Sequence, residues 1–431
     1  MQRSIYKSLL DWKAKINRKP LILFGARQTG KTWILKEFGK KEYKNVAYIN
    51  CDNNSVLADS FFDYDTQRLL RVFAVLSGEK IDKQDTLIIL DEIQEIPLAL
   101  TSLKYFAENE PEYHIAVAGS LLGISVHKGS GYPVGKVDEL NLYPMTFEEF
   151  LIANGKADLL DILKKHDWMI DSNLDQLFIE QLRQYYFTGG MPEAVEYYVN
   201  TNDPIETRNI QKRILNDYDH DFSKHVPARV LLKVRSVYNS IPAQIAKENK
   251  KFIYGMIRKG ARAKDYEGAI EWLKDAGLIY KVNRLRKIEA PLKYYENSSD
   301  FKLFVSDLGL LGAMSDTPVN QILTGKNIFT EYKGSFSEQY VVQEIITSSI
   351  EPFYYSNENS TLEIDFVVQK ENVYPIEVKA EENLKSRSLR TVVDNNKELK
   401  GWRFSMSGYR DQEWMVNVPL FAVEEWLQIN N

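Results

Sequence analysis

Eight residues, Gly25-Ala26-Arg27-Gln28-Thr29-Gly30-Lys31-Thr32, match the pattern G-x-x-x-x-G-K-[ST] and stand between an apolar run, Leu21 to Phe24, and a segment of helical character. Glycines at such spacing let backbone N–H groups curl around phosphate oxygens, and a helix start behind them adds a dipole that favours an anion. In this reading residues 25–32 cradle a nucleoside triphosphate, Lys31 reaches its β- and γ-phosphates, and the Thr32 hydroxyl ligates magnesium. Further on, the run Leu87-Ile88-Ile89-Leu90 ends in Asp91-Glu92. Acids at the C-terminal end of a buried parallel strand lie where ligands bind in open α/β sheets. Asp91 would hold the hydrated magnesium and Glu92 would polarise the attacking water. The plainer alternative is a helix N-cap followed by a solvated acid. Ser120, after the run His114 to Gly119, would reach the same sheet edge and sense the γ-phosphate, or is an ordinary loop serine. The chain has no Asn-Lys-x-Asp motif for reading guanine, so ATP with magnesium is the expected ligand.

A second group of acids lies near the C-terminus. Leu362 to Val368 and Val373 to Lys379 read as strands, and period two puts Glu377 and Lys379 on one face with Tyr374, Ile376 and Val378 on the other. A three-residue loop, Lys370-Glu371-Asn372, with Asn372 in the left-handed conformation, pairs Gln369 with Val373 and sets Asp365 opposite Glu377. A four-residue loop would set Asp365 opposite Ile376 and separate the two acids. Two carboxylates on a magnesium ion with a lysine beside them suit phosphodiester hydrolysis, which makes Asp365, Glu377 and Lys379 candidate catalytic residues. Glu338, on a helical stretch from Gly334 to Thr347, joins Asp365 and Glu377 as a candidate metal ligand, with Gln343 and Glu344 as neighbours. The alternative is a hairpin with alternating charges on its exposed face.

The elements that must position these residues follow from the pattern. Leu21 to Phe24, Val46 to Asn50, Thr86 to Leu90 and Ile115 to Ala118 are short apolar runs alternating with helical segments, which predicts a parallel α/β sheet. The Val46 run supplies an intervening strand or an edge, Val137 to Tyr143 closes the sheet, and HKGSGYPVGK at 127–136 reads as a mobile surface loop. After Phe147 the pattern is helical, with YFTGGMPEAV at 186–195 as its clearest turn, and reads as a continuation of the first domain.

Residues 229–290 hold 15 Lys or Arg against 6 Asp or Glu, +9 within a chain of net charge −5. Leu231, Val234, Val237 and Ile241 recur at helical spacing, as do Tyr266, Ala269, Ile270, Leu273 and Ala276, closed by Gly277. Three helices and a strand pair in this order resemble a winged helix, with Arg258, Lys259, Arg262, Lys264, Arg284, Arg286 and Lys287 as candidate DNA phosphate contacts. The same charges also suit a solvated face on a lid that meets a protein partner.

A length of 431 residues predicts about three domains. Hydrophobic residues at 44% and charged residues at 27% exclude disordered and collagen-like classes. A single cysteine, Cys51, excludes an internal disulfide, and the five histidines lack metal-ligand spacing. The N-terminal residues lack a signal-peptide core and no apolar run is long enough to span a bilayer, so the expected compartment is the cytoplasm.

The segments LILFGARQTGKT, LDEIQ, AGSLLGIS, LYPMTFEEFL and YFTGGMPEAV resemble, over nearly the whole chain, prokaryotic AAA-type ATPases whose C-terminal half is a domain of unknown function similar to restriction-endonuclease folds. Asp-x(11)-Glu-x-Lys, preceded by Glu338, resembles the PD-(D/E)XK nuclease core. Where that family commonly has an arginine before the L-x-P-x-x-F-x-E-F segment, Lys136 keeps the charge without the planar fork. The resemblance implies an AAA-like ATPase domain with a helical extension over 1–200, a basic winged-helix-like domain over 205–295 and a nuclease-like α/β domain over 325–431. The expected function is an ATPase, with oligomerisation compatible, coupling nucleotide state to a DNA-binding or nuclease-like half. The alternative is an ATP-gated switch that grips DNA or a protein through an inactive nuclease fold.

Overall fold

The computed structural model describes residues 2–120, 122–123, 131–166, 168–169, 172–247, 250–324, 330–359, 361–380 and 386–429. The expected mobile loop at 127–136 lies partly, and the expected boundary at Gly325 wholly, outside the described residues. Contacts divide the chain into two bodies, Gln2–Tyr143 with Asp275–Leu278, and Pro144–Lys274 with Ile279–Asn431.

In the first body, β1 (Leu21–Phe24), β2 (Asn45–Asn50), β3 (Thr86–Asp91), β4 (His114–Ala118) and β5 (Asp138–Asn141) form a parallel sheet in the order β2-β3-β4-β1-β5. Strands β3 and β4 are buried along their whole length, as near-continuous apolar runs covered on both faces must be. Alternation sends Ile22, Ile88 and Val117 into a cluster with Phe73 and Phe106. It sends Leu21, Leu23, Ile89 and Ala116 to the other face, against Leu9, Trp12 and Phe38. The Val46 run is the edge strand, β5 is the opposite edge, and β4 lies between the phosphate-loop strand and the Asp91 strand.

In the second body, β6 (Ile279–Leu285), β7 (Glu296–Val305), β8 (Phe353–Ser356), β9 (Glu363–Gln369), β10 (Val373–Lys379), β11 (Gly401–Ser405), β12 (Arg410–Asp411) and β13 (Met415–Pro419) form one mixed sheet. Its order is β12-β13-β11-β10-β9-β8-β6-β7. Helices Ala228–Ile245, Tyr254–Ile257 and Ala263–Asp275 precede the β6–β7 hairpin, the order expected of a winged helix. The hairpin does not close a separate unit, because β6 also pairs in parallel with β8, Asn283 opposite Phe353.

The helical run after Phe147, expected to extend the ATPase, groups with the second body instead. The first turn of helix Phe147–Ala153 explains this. Thr146 and Glu149 form a capping box, Phe147 N donates to Glu344 at 3.3 Å, and Glu148 N donates to Glu424 at 3.1 Å. Phe178 stacks on Phe421 with ring centroids 4.6 Å apart. Among the described residues, no helix is long and apolar enough to cross a membrane.

Candidate functional site

The phosphate loop joins β1 to helix Lys31–Glu42, which buries Ile34, Leu35 and Phe38 under the sheet. Gly25 has φ +148, and a Cβ there would lie 2.3 Å from the Leu142 carbonyl oxygen, so the chain passes where only glycine fits. Gln28, at φ 66, holds a left-handed conformation uncommon outside glycine. Thr29 Oγ1 donates to the Ala26 carbonyl at 2.9 Å, and Arg3 donates from below to the Thr29 carbonyl at 2.9 Å and the Tyr143 carbonyl at 2.6 Å. Gly30 caps the helix, Arg27 is exposed, and Lys31 is buried in the loop, its Nζ donating to the carbonyls of Gly25 at 2.8 Å and Ala26 at 2.7 Å. Burial lowers the Lys31 ammonium to about 8, against the opposing pull of Glu92 and Asp91.

At the end of β3, Asp91 accepts from Thr32 Oγ1 at 2.7 Å and from the Tyr48 hydroxyl at 3.0 Å. The two groups expected to share a magnesium ion are therefore already together, and a hydroxyl and a carboxylate are the hard oxygen donors that ion takes. Glu92 sits at φ 51 in the left-handed region. Its carboxylate accepts from Gln94 Nε2 at 2.6 Å and from the Ser120 hydroxyl at 3.4 Å. The end of β4 thus brings Ser120 to Glu92. Lys136 lies elsewhere, paired with Glu108 at 3.0 Å. Arg3, Tyr48 and Gln94 escaped the sequence reading; of these only Gln94, inside LDEIQ, carried a local signal.

In the second body, β9 and β10 pair Gln369 with Val373 and Phe366 with Ile376, the register of the three-residue loop. Asn372 reaches it without a left-handed φ, contrary to the expected turn geometry. One step beyond the ladder, Asp365 accepts from Val378 N at 2.8 Å, and Lys379 Nζ lies 2.9 Å from Glu377. Loss of hydration and then the nearby Glu338 push the Asp365 carboxyl up, with Glu377 adding to the effect.

Two further lysines complete this cluster. Lys250 bonds Glu338, and Lys302, fully buried on β7, lies 2.6 Å from Glu363 and 3.8 Å from Glu338. Burial works to raise Glu338, but Lys250 and Lys302 outweigh it and hold the carboxyl below its usual range. The metal role expected for Glu338, Asp365 and Glu377 does not fit this arrangement. Among the described residues no three acidic, histidine or cysteine side chains are placed to hold a metal ion, and the helix acid is already engaged by ammonium groups. Gln343 and Glu344 face away from the cluster's pairs: Gln343 accepts from Gln339 at 3.1 Å and Glu344 caps helix Phe147–Ala153.

Of the seven expected phosphate contacts, Arg284 pairs with Asp300 at 2.8 Å and Lys287 pairs with Glu289. Arg258, Lys259, Arg262 and Lys264 are exposed and have no ion-pair partner among the described residues. Arg286 is exposed and donates to the Glu296 carbonyl at 3.3 Å.

Comparison with known proteins adds three matches to family models. Residues 17–151 match the model described as AAA domain, and residues 179–321 and 333–420 match two models each described as a domain of unknown function (DUF8612 and DUF4143). No curated protein matches the chain. Similar solved structures include a Walker-type ATPase of Pyrococcus abyssi, 14% identical over 73% of this chain and 95% of that one, with a TM-score of 0.45. AMPPCP-bound DnaA from Aquifex aeolicus is 14% identical over 63% of this chain and 86% of its own, TM-score 0.29. The ORC1 protein of Aeropyrum pernix, in complex with DNA, is 14% identical over 74% of this chain and 92% of its own, TM-score 0.27. With its parallel sheet, its phosphate loop and the match over residues 17–151, the first body is an AAA-type P-loop ATPase domain.

Proposed function

We propose that the chain is a magnesium-dependent ATP hydrolase whose nucleotide state governs the grip of its second body on DNA. The observation that carries the hydrolase reading is the meeting of Lys31, Thr32, Asp91, Glu92 and Ser120 at the C-terminal ends of β1, β3 and β4. Residues 25–32 bind the phosphates through backbone N–H groups, and Lys31 exchanges the loop carbonyls for phosphate oxygens. Thr32 and Asp91 would hold magnesium, which when bound neutralises charge developing on the transferred phosphoryl group. Glu92, oriented by Gln94, takes up the proton of the attacking water, and Ser120 registers the γ-phosphate through the same carboxylate. Lys31→Ala should abolish ATP binding in a calorimetric titration, and unchanged binding would sink the hydrolase reading.

The DNA reading is supported by the exposed cations Arg258, Lys259, Arg262 and Lys264, which have no ion-pair partner among the described residues and lie near the start of helix Ala263–Asp275. Four phosphate contacts give a slope of log affinity against log salt of about −3 to −4. Replacing all four with alanine should flatten that slope. A salt-independent association would instead assign these residues to a protein partner.

A further inference from the structure

The carboxylate cluster of the second body draws residues from four elements: Glu338 from helix Thr330–Thr347, Lys302 from β7, Glu363 and Asp365 from β9, and Glu377 and Lys379 from β10. Lys250 comes from the segment after helix Ala228–Ile245. Four carboxylates in one partly buried place repel one another strongly, and such a group is stable only when protonated, metal-bound or paired with cations. Here the third solution serves three of the four, while Asp365 accepts from Val378 N. Lys250 bonds Glu338, Lys302 bridges Glu363 and Glu338, and Lys379 pairs with Glu377.

Lys250 and Lys302 together carry the two positive charges that a divalent ion would bring: Lys250 sets its charge on Glu338, and Lys302 shares its own between Glu363 and Glu338. An ammonium donates hydrogen bonds but has no open coordination position, so it cannot polarise a water as a bound metal does. Neither lysine is a loose surface group. Lys302 has no exposed area. The chain just after Lys250 is fixed: Phe252 N donates to the Phe301 carbonyl at 2.8 Å, and Ile253 exchanges two 3.0 Å hydrogen bonds with the Gln244 side chain. Ser335 Oγ donates to the Ile245 carbonyl at 2.7 Å, tying helix Thr330–Thr347 to the end of helix Ala228–Ile245.

We propose that Lys250 and Lys302 occupy the place of a divalent cation in this core, which serves as a metal-free ion-pair latch between helix Thr330–Thr347 and strands β7, β9 and β10 and not as a metal-dependent nuclease centre. The proposal is independent of the ATPase reading. It is tested by titrating manganese ions, without nucleotide, into the full-length chain and into its Asp365→Asn and Lys250→Met variants. The wild-type chain and Asp365→Asn should give the same manganese isotherm and unchanged melting temperatures with the ion. Lys250→Met should bind manganese about tenfold or more tighter than wild type, the scale on which shell changes tell at metal sites, and should regain melting temperature on adding it. Adding Asp365→Asn to Lys250→Met should remove that gain. Saturable manganese binding by the wild-type chain that Asp365→Asn abolishes would overturn the proposal. So would a folded Lys250→Met chain that binds no more manganese than wild type. Should Lys250→Met fail to fold, the comparison of wild type with Asp365→Asn decides alone.

Discussion

Lys31 is held by burial at about 8, where an exposed lysine would titrate more than two units higher. In the free protein it loses its proton as pH rises through that value, and a bound triphosphate restores it by raising the ammonium's proton affinity. ATP binding above about pH 8 is therefore expected to take up a proton, and affinity to fall by up to about tenfold per pH unit. Calorimetry in buffers of different ionisation heat reads the uptake directly, and a pH-independent affinity to about pH 9.5 would remove the basis for it. Glu92→Gln keeps an acceptor for Gln94 and Ser120 but loses the base, so ATP binding should persist while turnover falls about 10²–10⁴-fold. These residues were legible because their spacing encodes their meeting. Lys250 was not: its partner Glu338 lies far away in sequence, and nothing in a basic stretch marks which cation turns inward.

At the scale of elements, the strand-to-helix passage at Gly25 leaves no room for a side chain beside Leu142. Gly25→Ala should cost about 1–3 kcal/mol of stability and weaken ATP binding, measurable by denaturation and titration together. Lys302→Met should cost about 3–5 kcal/mol, because it strands the buried carboxylate of Glu338 and the half-buried one of Glu363. A chevron or urea midpoint distinguishes this from the small loss typical of a surface pair. Alternation and loop length together made the β9–β10 register legible, since slipping by one residue would expose Ile364, Phe366 and Val368. The β6–β7 hairpin was misread as the end of a small domain because β8, its neighbour on the other side, follows only after two intervening helices and helix Thr330–Thr347. Local pattern cannot announce so distant a partner.

Over the whole molecule, part of the positive excess of residues 229–290 is met by acids outside that segment. Arg235 pairs with Asp219 at 2.6 Å, Lys251 with Asp300 at 2.5 Å, Arg284 with Asp300 at 2.8 Å, and Lys250 with Glu338. Composition gave the sum, and the structure leaves Arg258, Lys259, Arg262 and Lys264 among the cations exposed on the surface. The domain count from length was similarly coarse: helices after Phe147 and the basic segment share one body with the C-terminal strands.

The turn Asp275–Leu278 belongs by its contacts to the first body, where Gly277, at φ +71, stands so close to the phosphate loop that a Cβ would lie 3.3 Å from Ala26 N. The ATPase body is therefore discontinuous along the chain. During synthesis, residues 2–143 leave the ribosome long before their last neighbours exist, and the wall beside Ala26 is finished only after Leu278 has been added. Nucleotide held by the nascent first segment would then rest on an incomplete cradle, giving the order of translation a say in when the loop first closes.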